Sequence, residues 1–229
     1  AANELITSKV MAILGPTTSA MAMEIVPISD ASETLTMGLT VTTNQLTGRD
    51  DFFFRTLSAT EDNASDMANY LLNHKRSTRV AVIYDLKNRS YTESWLNDFS
   101  AVFEQQGGVV TTKRAFESGS QVKFKQVAHD AIAESPDTVV LVVNSVDAAL
   151  LAKQIKVMKP DIQLAVSAWA GTERIIELGG RYVEGAVVPQ YFDRDSDNPQ
   201  YQWFHHTYTQ RFGHSPGFPG LVGFNATNV

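Results

Sequence analysis

Short runs of β-branched and apolar residues alternate along the chain with longer segments whose apolar positions recur every three or four residues. That alternation predicts parallel strands covered by helices, an α/β fold. Residues 10–14 read as a strand, 19–26 as a helix stopped by Pro27, and 34–37 as a second strand. A helix over 63–74 carries Met67, Tyr70 and Leu71 on one face, a strand follows over 79–84, and a helix over 92–105 aligns Trp95, Phe99, Val102 and Phe103. Gly107 and Gly108 end that helix, and 109–112 starts another strand. The pattern continues with helix 122–134, strand 138–143, helix 147–158 with Leu151, Ile155 and Met158 in register, and strand 163–166. Helix 172–178 stops at Gly179 and Gly180 before a strand over 184–188. Aromatic stripes at this spacing are read as core facing the sheet. An acidic, proline-containing stretch over 193–199 reads as a connection between lobes, and 201–212 as an aromatic amphipathic helix. After Pro216 and Pro219, Phe224-Asn225-Ala226 begins an element the chain does not finish, and 1–7 reads as a helix already in progress, so both ends look cut. No internal repeat or low-complexity segment is found.

Composition narrows the classes. The 229 residues, 43% of them hydrophobic, suffice for one large core or two lobes. With 19 basic and 25 acidic residues the net charge is -6, and no run of Lys or Arg forms a stripe that could track phosphates, so nucleic acid is not an expected partner. The cluster His74, Lys75, Arg76 and Arg79 sits where a helix ends and complements its dipole. The absence of cysteine excludes disulfides, thiolate zinc sites and thiol catalysis. The longest apolar run, 139–143, is far shorter than the roughly 20 residues of a membrane span. No basic segment followed by an apolar one opens the chain, so a signal segment is not expected within it.

Enzymatic chemistry finds little support. Neither of the glycine loops that cradle phosphates occurs, and no cofactor is expected. The histidines at 74, 129, 205, 206 and 214 form no H-E-x-x-H pair, and His205 and His206 point to different helix faces, so no metal site is expected. Asp193, Asp195 and Asp197 alternate in a loop that could attract a cation but reads better as a solvated linker. Gly213-His214-Ser215-Pro216-Gly217 fits the G-x-S-x-G elbow of serine hydrolases, which makes an α/β hydrolase using Ser215 the alternative from another class. That elbow requires a strand before it and a helix after it. Here a helix precedes it and two prolines follow, so a helix-terminating turn is the better reading.

The segment Ala12-Ile13-Leu14-Gly15-Pro16-Thr17-Thr18-Ser19-Ala20 resembles the strand, Gly-Pro turn and helix start near the beginning of the leucine/isoleucine/valine-binding proteins, of the type I periplasmic binding protein family. Residues 35–42, then Asn44-Gln45-Leu46-Thr47 and Phe53-Phe54-Arg55-Thr56, are similar to that family's second site strand and its run into the first hinge. Further matches follow in order: 80–85 with Tyr91, Gly179-Gly180 to Glu184-Gly185, and 208–216 with Phe224-Asn225-Ala226. The resemblance implies two Rossmann-like lobes with parallel sheets joined by a hinge. Residues 1–58 and 191–229 would form the first, incomplete, lobe and 59–190 the second, with a ligand between them.

It also implies a site. Ser19 matches a carboxylate-binding serine, and its own position reads equally as a helix N-cap. Thr40 and Thr42 match positions that hold an amino acid's α-groups, with turn chemistry as the plain alternative. Tyr91 matches a tyrosine that closes over the ligand, Asn144 to Val146 another contact segment in which valine replaces the family's tyrosine, and Phe218 lies near the cleft mouth. Where the amino acid binders place an acid to pair the ligand's ammonium, this chain has Trp169. Either the ligand lacks an amine, or Trp169 and Tyr91 receive it through cation-π contact, or Trp169 belongs to the core. The implied function is capture of a small carboxylate, amino acid-like or aromatic, without a covalent step. The closed form would be read by a membrane permease for ABC-type uptake or by an attached signalling domain of a receptor or kinase. A lobe that has lost its ligand is a third reading. The implied location is periplasmic or extracellular.

Overall fold

The computed structural model describes residues 1–229, which divide into two compact units. The first comprises 1–42, 46–58 and 190–229, and the second 43–45 and 59–189.

The first unit is built on a three-stranded parallel sheet in which β1 (Ala12–Leu14), β2 (Leu35–Gly38) and β3 (Phe53–Arg55) lie in sequence order. Leu14 pairs with Met37 and Gly38 with Arg55, so the carboxyl ends of all three strands share one edge. A short helix, α1 (Ala2–Thr7), precedes β1, and α2 (Ser19–Ala31) connects β1 to β2. Ala22 and Val26 of α2 meet Val41, Leu46 and Phe53 in a small core. The helix does not stop at Pro27 as its sequence predicts. Pro27 lies on the exposed side, where water can serve the carbonyl left without a donor, while buried Val26 and Ser29 hold the helix to the sheet.

The second unit is a four-stranded parallel sheet in the order β5 (Val109–Phe116), β4 (Arg79–Asp85), β6 (Thr138–Val142) and β7 (Gln163–Val166). Alternation along β4 and β6 fixes its layers. Val80, Val82, Val140 and Val142 face the stripes of α3 (Thr60–Asn73) and α4 (Arg89–Gln105), including Met67, Leu71, Trp95, Phe99 and Phe103. Ala81, Ile83, Val139 and Leu141 face α5 (Phe124–Ile132) and α6 (Ser145–Met158) through Val127, Ala131, Leu151 and Ile155. Both faces are therefore covered, as a parallel sheet requires. A further helix, α7 (Glu173–Gly179), packs beside α6. The segment predicted as a strand over 184–188 makes only one bridge, Ala165 to Val187, because the turn Gly180–Val183 and Gly185 (φ 72°) bend the backbone out of register. Residues 43–45 join this unit through Asn44, whose amide donates to Asp98 Oδ2 (2.7 Å) and whose carbonyl accepts from Thr60 Oγ1 (2.9 Å).

The chain then re-enters the first unit and forms α8 (Pro199–Phe212) and α9 (Phe218–Thr227). Phe224-Asn225-Ala226 thus ends a helix rather than beginning an element, since Pro219 occupies its first turn, where a missing N–H costs nothing.

Candidate functional site

Ligand groups on open parallel sheets gather where strands end and helices begin. In the first unit β1 passes through Gly15, whose φ of 136° suits only glycine, and Pro16 to the start of α2. The N-cap of α2 is Thr18, whose hydroxyl accepts from the Met21 N–H (3.3 Å). The cap is therefore Thr18 and not Ser19. Ser19 is 1% exposed, and its Oγ accepts from the Thr42 N–H (3.3 Å) in the loop after β2. Thr40 Oγ1 donates to the Thr17 carbonyl and so ties the same two loops together from the partly exposed side.

Thr42 is 2% exposed, and its Oγ1 makes no well-formed hydrogen bond. Beside it lies the hydroxyl of Tyr191, a residue the sequence reading did not place in the site. Burial pushes the Tyr191 hydroxyl up to about 12, a rise opposed by its interaction with Thr42 and by the charge of Arg55. Arg55 closes β3, is half-buried, and donates from Nη2 to Thr47 Oγ1 (2.5 Å), with burial holding its pKa below the usual guanidinium range. The Tyr191 ring stacks on Phe218 at 5.0 Å with an interplanar angle of 18°. Ser19, Thr42, Tyr191 and Phe218 thus form one connected group within the first unit, with the charge of Arg55 acting on it from the end of β3.

In the second unit Tyr91, on the first turn of α4, meets Trp169 edge to face at 5.8 Å and 82°. Trp169 sits in the turn Ala168–Ala170 after β7, half-buried, with part of its ring packed on the α3–α4 core. Part of its surface therefore belongs to the core, and the rest is open to solvent. Asn144 and Val146 stand at the start of α6, and Val146 is 44% exposed. The side chain of Asn144 is consumed internally. Its Oδ1 accepts from the Val146 and Asp147 N–H groups (both 3.0 Å), and its Nδ2 donates to Asp147 Oδ2 (2.9 Å) and Ser118 Oγ (3.3 Å). Ser118 in turn donates to Asp85 Oδ2 (2.6 Å) and touches Asp147 Oδ2, while Asp85 Oδ1 accepts from the Lys87 and Ser118 N–H groups (both 3.0 Å). This knot closes the point where the chain, having run from β4 to β5, crosses back to β6. It leaves Asn144 a helix cap with no side-chain group to offer a ligand.

Ser215 is exposed in the turn between α8 and α9, behind Gly213 in the left-handed region (φ 75°), with no strand before it. The geometry of a nucleophile elbow is absent. The Asp193 carboxylate accepts from the Asp195 N–H (2.9 Å) as a turn cap, and the chain has no group of three acidic, histidine or cysteine side chains placed to hold a metal ion. No helix is long and apolar enough to cross a membrane.

A family model described as a periplasmic binding protein matches residues 1–229. The chain belongs to this family. Periplasmic binding proteins capture solutes and are not enzymes, which removes the hydrolase alternative at Ser215. Among solved structures the chain is similar to a leucine binding protein, LivK, from Thermotoga maritima, with 25% identity, a TM-score of 0.92, and coverage of 99% of this chain and 65% of that one. It also shares the fold of the branched-chain amino acid transporter substrate binding protein LivJ from Streptococcus pneumoniae, in complex with isoleucine, at 16% identity and a TM-score of 0.87, covering 99% of this chain and 64% of that one. A solute binding protein of an ABC transporter from R. palustris, in complex with benzoate, aligns at 17% identity and a TM-score of 0.87 with the same coverage, 99% and 64%. The chain thus spans about 65% of the length of these periplasmic binding proteins. No curated protein matches the chain. The α/β class, the parallel sheets and the two-lobed architecture expected from the sequence are those of the family.

Proposed function

We propose that the protein captures a small carboxylate outside the cytoplasm and hands it on unchanged, as the solute-binding component of ABC-type uptake. The observation that carries this reading is the pairing of the Ser19 hydroxyl with the Thr42 amide at the carboxyl edge of the first sheet. That pairing sets a buried hydroxyl, a threonine side chain and the amides of a helix start on one edge, a combination suited to a carboxylate. Within the second unit, the edge-to-face pair of Tyr91 and Trp169 is an aromatic surface suited to an apolar or aromatic body. The location is extracytoplasmic by family membership, and the partner that receives the solute is a membrane permease. Leucine, isoleucine and benzoate, the solutes named for the solved relatives, define the two chemical classes to compare.

A thermal-shift screen of the full-length protein against aliphatic amino acids, aromatic amino acids and their amine-free carboxylate analogues tests the reading, since a ligand that binds the native state raises Tm. The expected result is stabilisation by at least one carboxylate, weakened about tenfold or more in Ser19→Ala by loss of a hydrogen bond to a charged group. Chemical turnover of the bound carboxylate, or wild-type indifference to every member of both classes, would refute it. Stabilisation by amine-free aromatic acids would identify Trp169 as a stacking wall. Stabilisation by amino acids alone would mean that another group receives the ammonium.

A further inference from the structure

The carboxyl edge of the first sheet holds more than Ser19 and Thr42. Register places the end of β3 level with the end of β2, since Arg55 pairs with Gly38, and β2 in turn pairs with β1 up to Leu14. The cation that closes β3 and the helix start that follows β1 therefore lie on one side of one sheet. Ser19 Oγ accepts from the Thr42 N–H at 3.3 Å, the Thr42 side chain lies beside the Tyr191 hydroxyl, and the guanidinium of Arg55 is near enough for its charge to act on that hydroxyl. Tyr191 arrives from a distant part of the sequence, at the start of the segment that returns to the first unit, and its ring is fixed on Phe218.

Three features of this group point to an anion. The Thr42 hydroxyl is fully buried without a well-formed hydrogen bond, so it has capacity to spare. The Tyr191 hydroxyl lies mostly buried beside Thr42 and, neutral like any tyrosine at physiological pH, is a hydroxyl donor. Arg55 carries its charge at a half-buried place where that charge is costly, and a bound anion would offset the cost.

We propose that Arg55 and Tyr191 complete an anion receptor with Ser19 and Thr42, and that this pair sets the preference for a carboxylate over the uncharged amide of the same shape. The inference rests on the solute-binding reading and extends it to residues that reading does not use. Tyr191 supplies a neutral donor beside Thr42, and Arg55 supplies the field that favours a negative solute head. Hydroxyls and amides alone, as at Ser19 and Thr42, can hold a carboxylate and a carboxamide alike. The added cation separates the two.

The test uses the full-length protein and two matched pairs of probes, benzoate with benzamide and leucine with leucinamide, with affinities measured by isothermal titration calorimetry. In wild type the acid of at least one pair binds more tightly than its amide. Arg55→Gln should reduce that acid-to-amide affinity ratio by about 10- to 100-fold, the size expected when a charge-assisted contact is lost. Arg55→Lys, which keeps the charge, should retain most of the ratio, and Tyr191→Phe should lower acid affinity about fivefold while its ring still packs on Phe218. A general loss of structure would lower acid and amide together, and so would not reproduce a change in their ratio. An unchanged ratio in Arg55→Gln, with wild-type binding intact, overturns this inference and leaves the solute-binding reading standing. Failure of wild type to bind any of the four probes or the wider acid panel overturns both.

Discussion

The alkaline behaviour of Tyr191 is a direct consequence of where its hydroxyl lies. Its folded pKa is raised from 10.0 to about 12, so between those values the native state holds a proton that the unfolded chain has released. The stabilisation is fully present below pH 10 and is lost as pH rises toward 12, because the unfolded state gains by ionising first. Allowing for partial exposure, the loss is about 2 kcal/mol. Urea unfolding of wild type and Tyr191→Phe at a series of alkaline pH values should show the variant losing less stability across that window, and parallel curves would refute the assignment. Tyr191 also marks the limit of sequence reading at this scale. Ser19 and Thr42 entered the candidate site through the family resemblance, which is carried by a strand, a Gly-Pro turn and a helix start adjacent in the chain. The meeting of Thr42 with Tyr191 joins residues far apart, and no local pattern encodes it. The capping role falls to Thr18 rather than Ser19, a shift of one residue that propensity does not resolve, since both hydroxyls are favoured caps and Ser the slightly stronger of the two. Asn144 shows the converse, a position matched by family resemblance whose amide the fold spends on its own helix.

At the scale of elements, periodicity succeeded where a stripe had a sheet to face. In α4 Trp95, Phe99 and Phe103 stack in series at 5.1 and 5.2 Å, and all three are fully buried, as the spacing over 92–105 predicts. A single proline is a weaker guide to where a helix stops or starts. Pro27 did not end α2, and Pro219 did not prevent α9, because the consequence of a proline depends on the face it occupies and on how near the helix start it stands. Pro27 is exposed and interior, so its ring contributes nothing to the core while the turn before it lacks one hydrogen bond. Pro27→Ala should therefore restore that bond and stabilise the protein by about 1 to 3 kcal/mol, part of the gain being offset by the greater freedom of the unfolded chain. Denaturant unfolding measures this directly. A lower midpoint in the variant would show that the helix needs the proline's fixed dihedral at that place.

For the whole molecule, the contrast between the two sheets governs where the fold is firm. In the second unit β4 and β6 are flanked by strands on both edges and by helices on both faces, and Val80 to Ile83 and Val139 to Val142 are wholly buried. The sequence announces this through the run at 138–143, β-branched at every position but Leu141 and apolar from 139 on, which suits a strand covered on both faces. In the first unit the sheet has three strands and one small core. Leu14 is 54% exposed and Phe54 53%, so alternate side chains on β1 and β3 face away from that core. Burial of apolar surface is the main source of stability, and its distribution sets which hydrogen bonds open only with global unfolding. Amide hydrogen exchange of the chain of residues 1–229 without added ligand should therefore find the slowest amides in β4 and β6. The amides of β1 to β3 should exchange through sub-global opening at a free energy lower by about 2 kcal/mol or more. A carboxylate held by Ser19, Thr42, Tyr191 and Arg55 adds its binding energy to the less firm of the two units, because all four residues belong to it. Saturation with a binding carboxylate should accordingly slow β1 to β3 more than β4 and β6. Equal protection of both sheets before ligand is added would show that the first unit draws its stability from something other than the burial described.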